Sequence, residues 1–340
     1  MHKTTRRSPA LLGAALLSAA AFSLPQQAKA AECDYDETIT IAEMTWLSAG
    51  TFAYVAEKIL ADGYGCDVDI VPGDTVPTAT SMLTKSEPTI APELWVSTAQ
   101  SIWDEAQEKG NIYKAADIFA DGGKEGWWIP DYVAEANPGL KSVEDLKDYS
   151  ELFEEVASNG KGRFYGCPPG WGCEIITNNL FRALNLEDHN WELFSPGSGA
   201  NLKASYARKV TRGQPIVGYY WGPTAVIGKY NLVRLEMPPY NAEKFTELTV
   251  PDAPDPQVTG WKKGDVAVAV VTEVKETAPH VADFLSKMSY PNALVNQLLA
   301  WGDDNSANPE EVAERFLQNH EDIWTQWVPA DVADNVRASL

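Results

Sequence analysis

Two cysteines and a tryptophan crowd into nine residues, "GCPPGWGCE", running from Gly166 to Glu174. A Pro-Pro-Gly turn lies between Cys167 and Cys173, and Trp171 sits near the tip. So small a loop cannot bury an indole by itself, which leaves the ring face for a ligand. The chemistry an indole face offers is attraction for a diffuse cation through the ring quadrupole. Further tryptophans follow or end β-rich segments, Trp46 after "TIAEM", Trp95 at the end of "PELW" and Trp221 in "GYYWGP", while Trp127 and Trp128 in "EGWWIP" sit at the boundary between two units of the chain. Ligands of open α/β sheets bind at the carboxyl ends of strands, so these indoles can converge on one cleft as a cage for a methylated ammonium head. Such a head gives no strong hydrogen-bond donor and is weakly hydrated, so ring faces suit it. At about 2 kcal/mol per desolvated face, three or four faces supply roughly 6–8 kcal/mol gross, near the ~8 kcal/mol of a micromolar complex. Glu43, Glu93 and Glu125 lie close to candidate tryptophans, and one of them is a candidate to face the cation. Trp103, Trp191, Trp301, Trp324 and Trp327, on or beside helical segments, read as packing, as does Trp261.

Other chemistries find less support. The chain has no G-x-S-x-G, H-E-x-x-H or P-loop pattern. Beyond His2 its histidines are His189, His280 and His320. A carboxylate-pair hydrolase or a sugar-binding protein stays open as a different class, since acids abound and indoles also stack on sugars. "WGDDNSANPEE" lacks the EF-hand spacing, and "SPGSGANL" reads as a helix cap, with an anion site as the rarer alternative. Neither a metal nor a cofactor is expected, and the reading is of a binding protein rather than an enzyme.

The 340 residues open on a basic "MHKTTRR", an apolar "ALLGAALLSAAAFSL" and a small-residue "AKA" ending at Ala30. That is the pattern of a cleaved signal peptide over residues 1–30, too short for a membrane span. It carries four of the 27 basic residues and none of the 48 acidic ones, so the remainder holds 23 against 48, a net charge of −25. So acidic a chain is a poor partner for nucleic acid or anionic membrane. Four cysteines in an exported chain read first as two disulfides, Cys167 with Cys173 and Cys33 with Cys66. Zinc is the rival reading, but the spacings match none of its patterns.

These residues need a scaffold. Segments 38–44, 66–71 and 89–97 read as strands alternating with helices over 52–65, 75–88 and 98–110. A second unit begins near "GWWIP" and carries the cysteine loop, helices over 174–186 and 201–213, and strands over 191–199 and 215–223. After the Pro/Asp-rich 250–260, "DVAVAVVTE" returns as a strand to the first unit, and the tail over 278–328 is helical. The expected fold class is α/β: two lobes, 31–125 with 262–340 and 126–261, hinged around a central cleft.

The "GCPPGWGCE" loop, with the tryptophans of "ELWVS" and "GYYWGP", resembles the periplasmic glycine betaine/proline betaine-binding proteins of ABC transporters over essentially the whole chain after the leader. The resemblance implies a two-lobe, type II-like binding-protein fold that closes over its ligand. It further implies a tryptophan box of Trp95, Trp171 and Trp221, and a ligand carboxylate held by the backbone N–H groups of Gly172 and Cys173. It implies a monomer in the periplasm serving an inner-membrane permease with a separate ATPase. One departure stands out: the family's histidine four residues after the first box tryptophan is Ala99 here. "IAEMTW" and "EGWWIP" are more similar to the family's trimethylamine N-oxide-binding branch, which implies added walls from Trp46 and from Trp127 or Trp128, and a glutamate in the site. Choline, carnitine and dimethylsulfoniopropionate carry similar methylated heads and stand as alternatives.

Overall fold

The computed structural model describes Met1, His2 and residues 32–340. Apart from its first two residues, the expected signal peptide lies outside the described residues. The rest is built on two five-stranded sheets. The first takes β1 (Ile39–Met44), β2 (Val68–Gly73), β3 (Ile90–Trp95), β4 (Ile112–Asp117) and, from far along the chain, β10 (Val266–Val271), in the order β2-β1-β3-β10-β4. The second takes β5 (Lys124–Pro130), β6 (Gly162–Tyr165), β7 (Trp191–Phe194), β8 (Val217–Gly222) and β9 (Leu232–Arg234), in the order β7-β6-β8-β5-β9.

Both sheets follow one plan. β1 pairs in parallel with β2 and β3, and β6 with β7 and β8. Each sheet also contains one antiparallel inner strand: β10 against β3 and β4, and β5 against β8 and β9. These are the first strands after the chain crosses between sheets. The central strands β3 and β10 are buried along their whole length, as near-continuous apolar runs covered on both faces must be. β5 starts at Lys124, two residues ahead of the expected second unit, so Glu125 belongs to the second sheet.

The helices that frame the sheets begin with α1 (Leu47–Lys58), α2 (Thr75–Lys85) and α3 (Gln100–Lys109) beside the first, then α4 (Asp131–Ala136), α5 (Gly172–Ala183), α6 (Gly199–Thr211) and α7 (Ala225–Lys229) beside the second. The C-terminal segment is helical and returns to the first sheet, its helix Pro309–Asn319 packing along α1. The expected helical tail is interrupted at His320, which caps Pro309–Asn319 with non-helical backbone, and a short turn Glu321–Trp324 follows. Cys33 is bonded to Cys66 and Cys167 to Cys173. Where the chain crosses between sheets, Gly123 and Gly264 pair through both backbone bonds, at 3.0 and 3.1 Å.

Candidate functional site

Every parallel strand that ends at the cleft delivers an aromatic or a helix start there. β1 runs into Trp46, which caps α1. β3 ends on Trp95 itself. β6 leads into the disulfide loop, whose Trp171 caps α5. β8 ends at Trp221-Gly222, and antiparallel β5 brings its first residues to the same end, so Glu125 pairs directly opposite Trp221. Residues from both sheets thus border one cavity: Trp46, Trp95, Trp171, Trp221, Tyr219 and Glu125, with Thr75, Thr98, Gly172 and Cys173 closing its ends.

The rings stand close. Trp171 meets Trp46 edge-to-face at 5.1 Å and Trp221 at 4.9 Å. The space among them is about 20 Å³, room for a water-sized sphere. All four indoles are nearly buried, which the seven-residue loop Cys167–Cys173 could not achieve for Trp171 by itself. Its burial comes from the other sheet's side. The Trp171 Nε1–H donates to Thr45 Oγ1 and Asp74 Oδ1, both at 3.1 Å, and Gly170 accepts from the Val76 amide at 3.1 Å. Against its outer edge lies Gly199, where a Cβ would come within 2.8 Å of the ring.

Two buried carboxyl groups stand by these rings. Glu125 accepts from Tyr219 Oη at 2.7 Å and from Ser97 Oγ at 3.1 Å. Burial pushes its carboxyl up to about 7, against the pull of those two bonds. Glu93 accepts from the indole nitrogens of Trp46 at 2.7 Å and Trp95 at 2.9 Å. Burial raises it to about 7 as well, while Ser48 and the two indoles pull it down. The opposite polarity comes from backbone. Gly172 and Cys173 open α5, so their N–H groups have no intrahelical acceptor and carry the positive end of the helix dipole. Methyl groups bearing positive charge fit the indole and carboxylate side, and an oxyanion fits the α5 end.

Sequence reasoning placed some residues elsewhere. Trp127 shares a strand face with Glu125 but lies about 7 Å further along it; it is fully buried, 4.3 Å from Phe164. Trp128 faces the other way, donating its Nε1–H to Tyr220 O at 2.9 Å. Neither borders the cavity. Glu43 turns toward α1, accepting from Tyr54 Oη at 3.4 Å. Glu93 stands behind the indoles rather than among the lining residues. Sequence reasoning also missed Tyr219, Thr75 and Thr98. Tyr219 was within reach, two residues before Trp221 on one strand face; Thr75 opens α2 and Thr98 closes the turn Val96–Thr98, and neither carries a compositional mark.

Beyond Trp46 and Trp221 lies a second cavity of about 160 Å³, walled by Leu47, Ala200, Ala225, Val226 and Leu299. Its rim holds Lys203 and Asp303, ion-paired across the cleft at 2.6 Å. Among the described residues no cluster of three His, Cys, Asp or Glu could hold a metal ion, and no helix is long and apolar enough to cross a membrane.

Two sheets joined by paired crossovers, with a cleft at their strand ends, define the two-lobe α/β fold of periplasmic binding proteins. Solved structures share it: an ABC-transporter choline-binding protein in complex with choline (TM-score 0.69, 18% identity, 90% of this chain and 98% of that one) and lactococcal OpuAC, closed on glycine betaine (TM-score 0.64, 18% identity, 86% and 100%). Residues 37–319 match the substrate-binding domain of ABC-type glycine betaine transport systems, and the chain belongs to that family of solute receptors, which are not enzymes. Among its relatives are the glycine betaine/proline betaine-binding periplasmic proteins of Escherichia coli K12 (24% identity, 68% of each chain) and Salmonella typhimurium (23% identity, 66% of this chain and 69% of that one).

Proposed function

We propose that the protein captures a small methylated amine, trimethylamine N-oxide or glycine betaine, between Trp46, Trp95, Trp171 and Trp221. One observation carries the reading: four indoles from both lobes, a buried carboxyl and the start of α5 border a single cavity. The methyl groups lie against the rings with Glu125 as counter-charge, and the anionic end takes the Gly172 and Cys173 amides. Within the class, the N-oxide is the better fit. Its anionic end is a single oxygen, and no Lys, Arg or His is among the residues lining this small cavity. Glycine betaine is the second reading, supported by the family and by the relatives' names.

The wider role follows the family. The chain is exported to the periplasm after loss of residues 1–30, works as a monomer, and hands ligand to a membrane permease driven by a separate ATPase. The crossovers at Gly123 and Gly264 act as the hinge between a lobe of 31–125 with 262–340 and a lobe of 126–261.

Calorimetric titration of the mature protein against the N-oxide, glycine betaine, choline and a neutral sugar tests this. We expect micromolar or tighter binding of the N-oxide, weaker binding of betaine, and none of the sugar. Binding of the sugar in preference to every methylated amine would overturn the cage.

A further inference from the structure

We infer that Glu93 is a positioning residue of the cage: its carboxylate holds two of the four indole walls, Trp46 and Trp95, and tunes their grip on a cation without touching the ligand. This rests on the binding reading above. One oxygen, Glu93 Oε1, takes both indole N–H groups, at 2.7 and 2.9 Å. Trp46 caps α1 and Trp95 ends β3, 49 residues apart, so a single atom fixes their relative placement. Glu93 is 1% exposed on the fully buried strand β3 and does not border the cavity. Among the described residues it forms no ion pair with Lys, Arg or His. Around it stand Ser48 from α1 and the two indoles; Glu43 on β1 is turned to Tyr54, and Glu125 on β5 is held by Tyr219 and Ser97.

A neutral acceptor would place the rings as well, so the buried charge calls for a reason. Hydrogen bonds to an anion are shorter and stronger than neutral ones, and they polarise the donor. An indole whose N–H leans on a carboxylate carries more negative charge on its face, which strengthens its attraction for a cation. The charge behind the rings thus reaches the ligand through them. A bound cation in turn favours the ionised carboxylate, so affinity rises as pH rises through neutrality. Glu125 acts with the same sign, and a variant at each position separates the two.

The experiment pairs calorimetry with indole N–H resonances, using the wild type, Glu93→Gln and Glu125→Gln, with trimethylamine N-oxide and glycine betaine as probes. In ligand-free wild type we expect the Trp46 and Trp95 N–H signals to move together with a single midpoint near neutral pH, while the Trp171 signal stays put. In Glu93→Gln, exchanging a charged acceptor for a neutral one should weaken binding about tenfold, reduce the pH dependence and shift those two signals alone. Unchanged affinity in folded Glu93→Gln, or indole signals that do not titrate in the wild type, would overturn the proposal. Should the variant fail to fold, the wild-type titration decides by itself. Should the wild type bind no methylated amine, the binding reading fails, and indole signals that ignore pH would sink the clamp separately.

Discussion

Trp171 shows how much one side chain carries here. Its ring lines the cavity as a wall of the proposed cage, its Nε1–H bonds Thr45 and Asp74 across the cleft, and its edge rests on Gly199. Losing it removes a ring face and an inter-lobe contact together. Trp221 contributes a face and stands opposite Glu125 in the ladder. A desolvated cation–π contact is worth about 2 kcal/mol, or roughly 30-fold in affinity. We expect Trp221→Ala to weaken ligand binding by about that factor, and Trp171→Ala by more, both variants staying folded but melting lower because each loses a nearly buried indole. Titration of both variants with the N-oxide checks this; equal and near-wild-type affinities would return both rings to a packing role.

At the scale of elements, the disulfide loop and α5 work as one piece. The bond between Cys167 and Cys173 closes the turn that presents Trp171, and α5 starts at once behind it. A Cβ at Gly172 would collide with Thr98 O, so the helix start can approach the opposite lobe only with glycine there. A ring of this length constrains the unfolded chain modestly, by about 2 kcal/mol, so its larger effect is on the site. We expect the Cys167→Ser/Cys173→Ser protein to melt only a few degrees lower but to lose most of its ligand affinity. Melting curves alongside titration would show it; affinity that survives in the folded double variant would argue against a rigid wall.

At the scale of the molecule, closure rests on few contacts. Lys203 and Lys229 on the second lobe pair with Asp303, and Lys229 also with Asp304, on the helix Asn292–Asn305 of the first. At the crossovers, a Cβ on Gly264 would come within 2.7 Å of Gly123 O, so the two segments lie side by side only as glycines. The ion pairs are partly exposed, and such pairs contribute little and are screened by salt. We expect Asp303→Asn to weaken ligand binding by under about threefold at low salt and not at all at high salt. Titration at two ionic strengths reads this directly, and a large, salt-independent loss would place Asp303 in the binding site instead.

Much of this was legible in the sequence because it depends on local chemistry. Alternating strand and helix patterns gave the α/β class, cysteine spacing gave the disulfides, and three strand-end tryptophans with the one on the disulfide loop marked four residues that the fold brings to one cavity. Residue type and strand period act over a few positions, so a reader of the chain can recover them. What the sequence left open needs distance through space. It placed Trp127 or Trp128 at the site, yet the strand pleat packs one against Phe164 of β6 and turns the other to the opposite face. It named Glu43, Glu93 and Glu125 as candidates, Glu43 first, and only the packing separates them. An antiparallel strand brings Glu125 to the cavity, the turn toward α1 takes Glu43 away, and two indoles 49 residues apart meet on Glu93. Which carboxylate faces a ligand and which stands behind the rings depends on strand order and direction, and those are settled only when the whole chain packs.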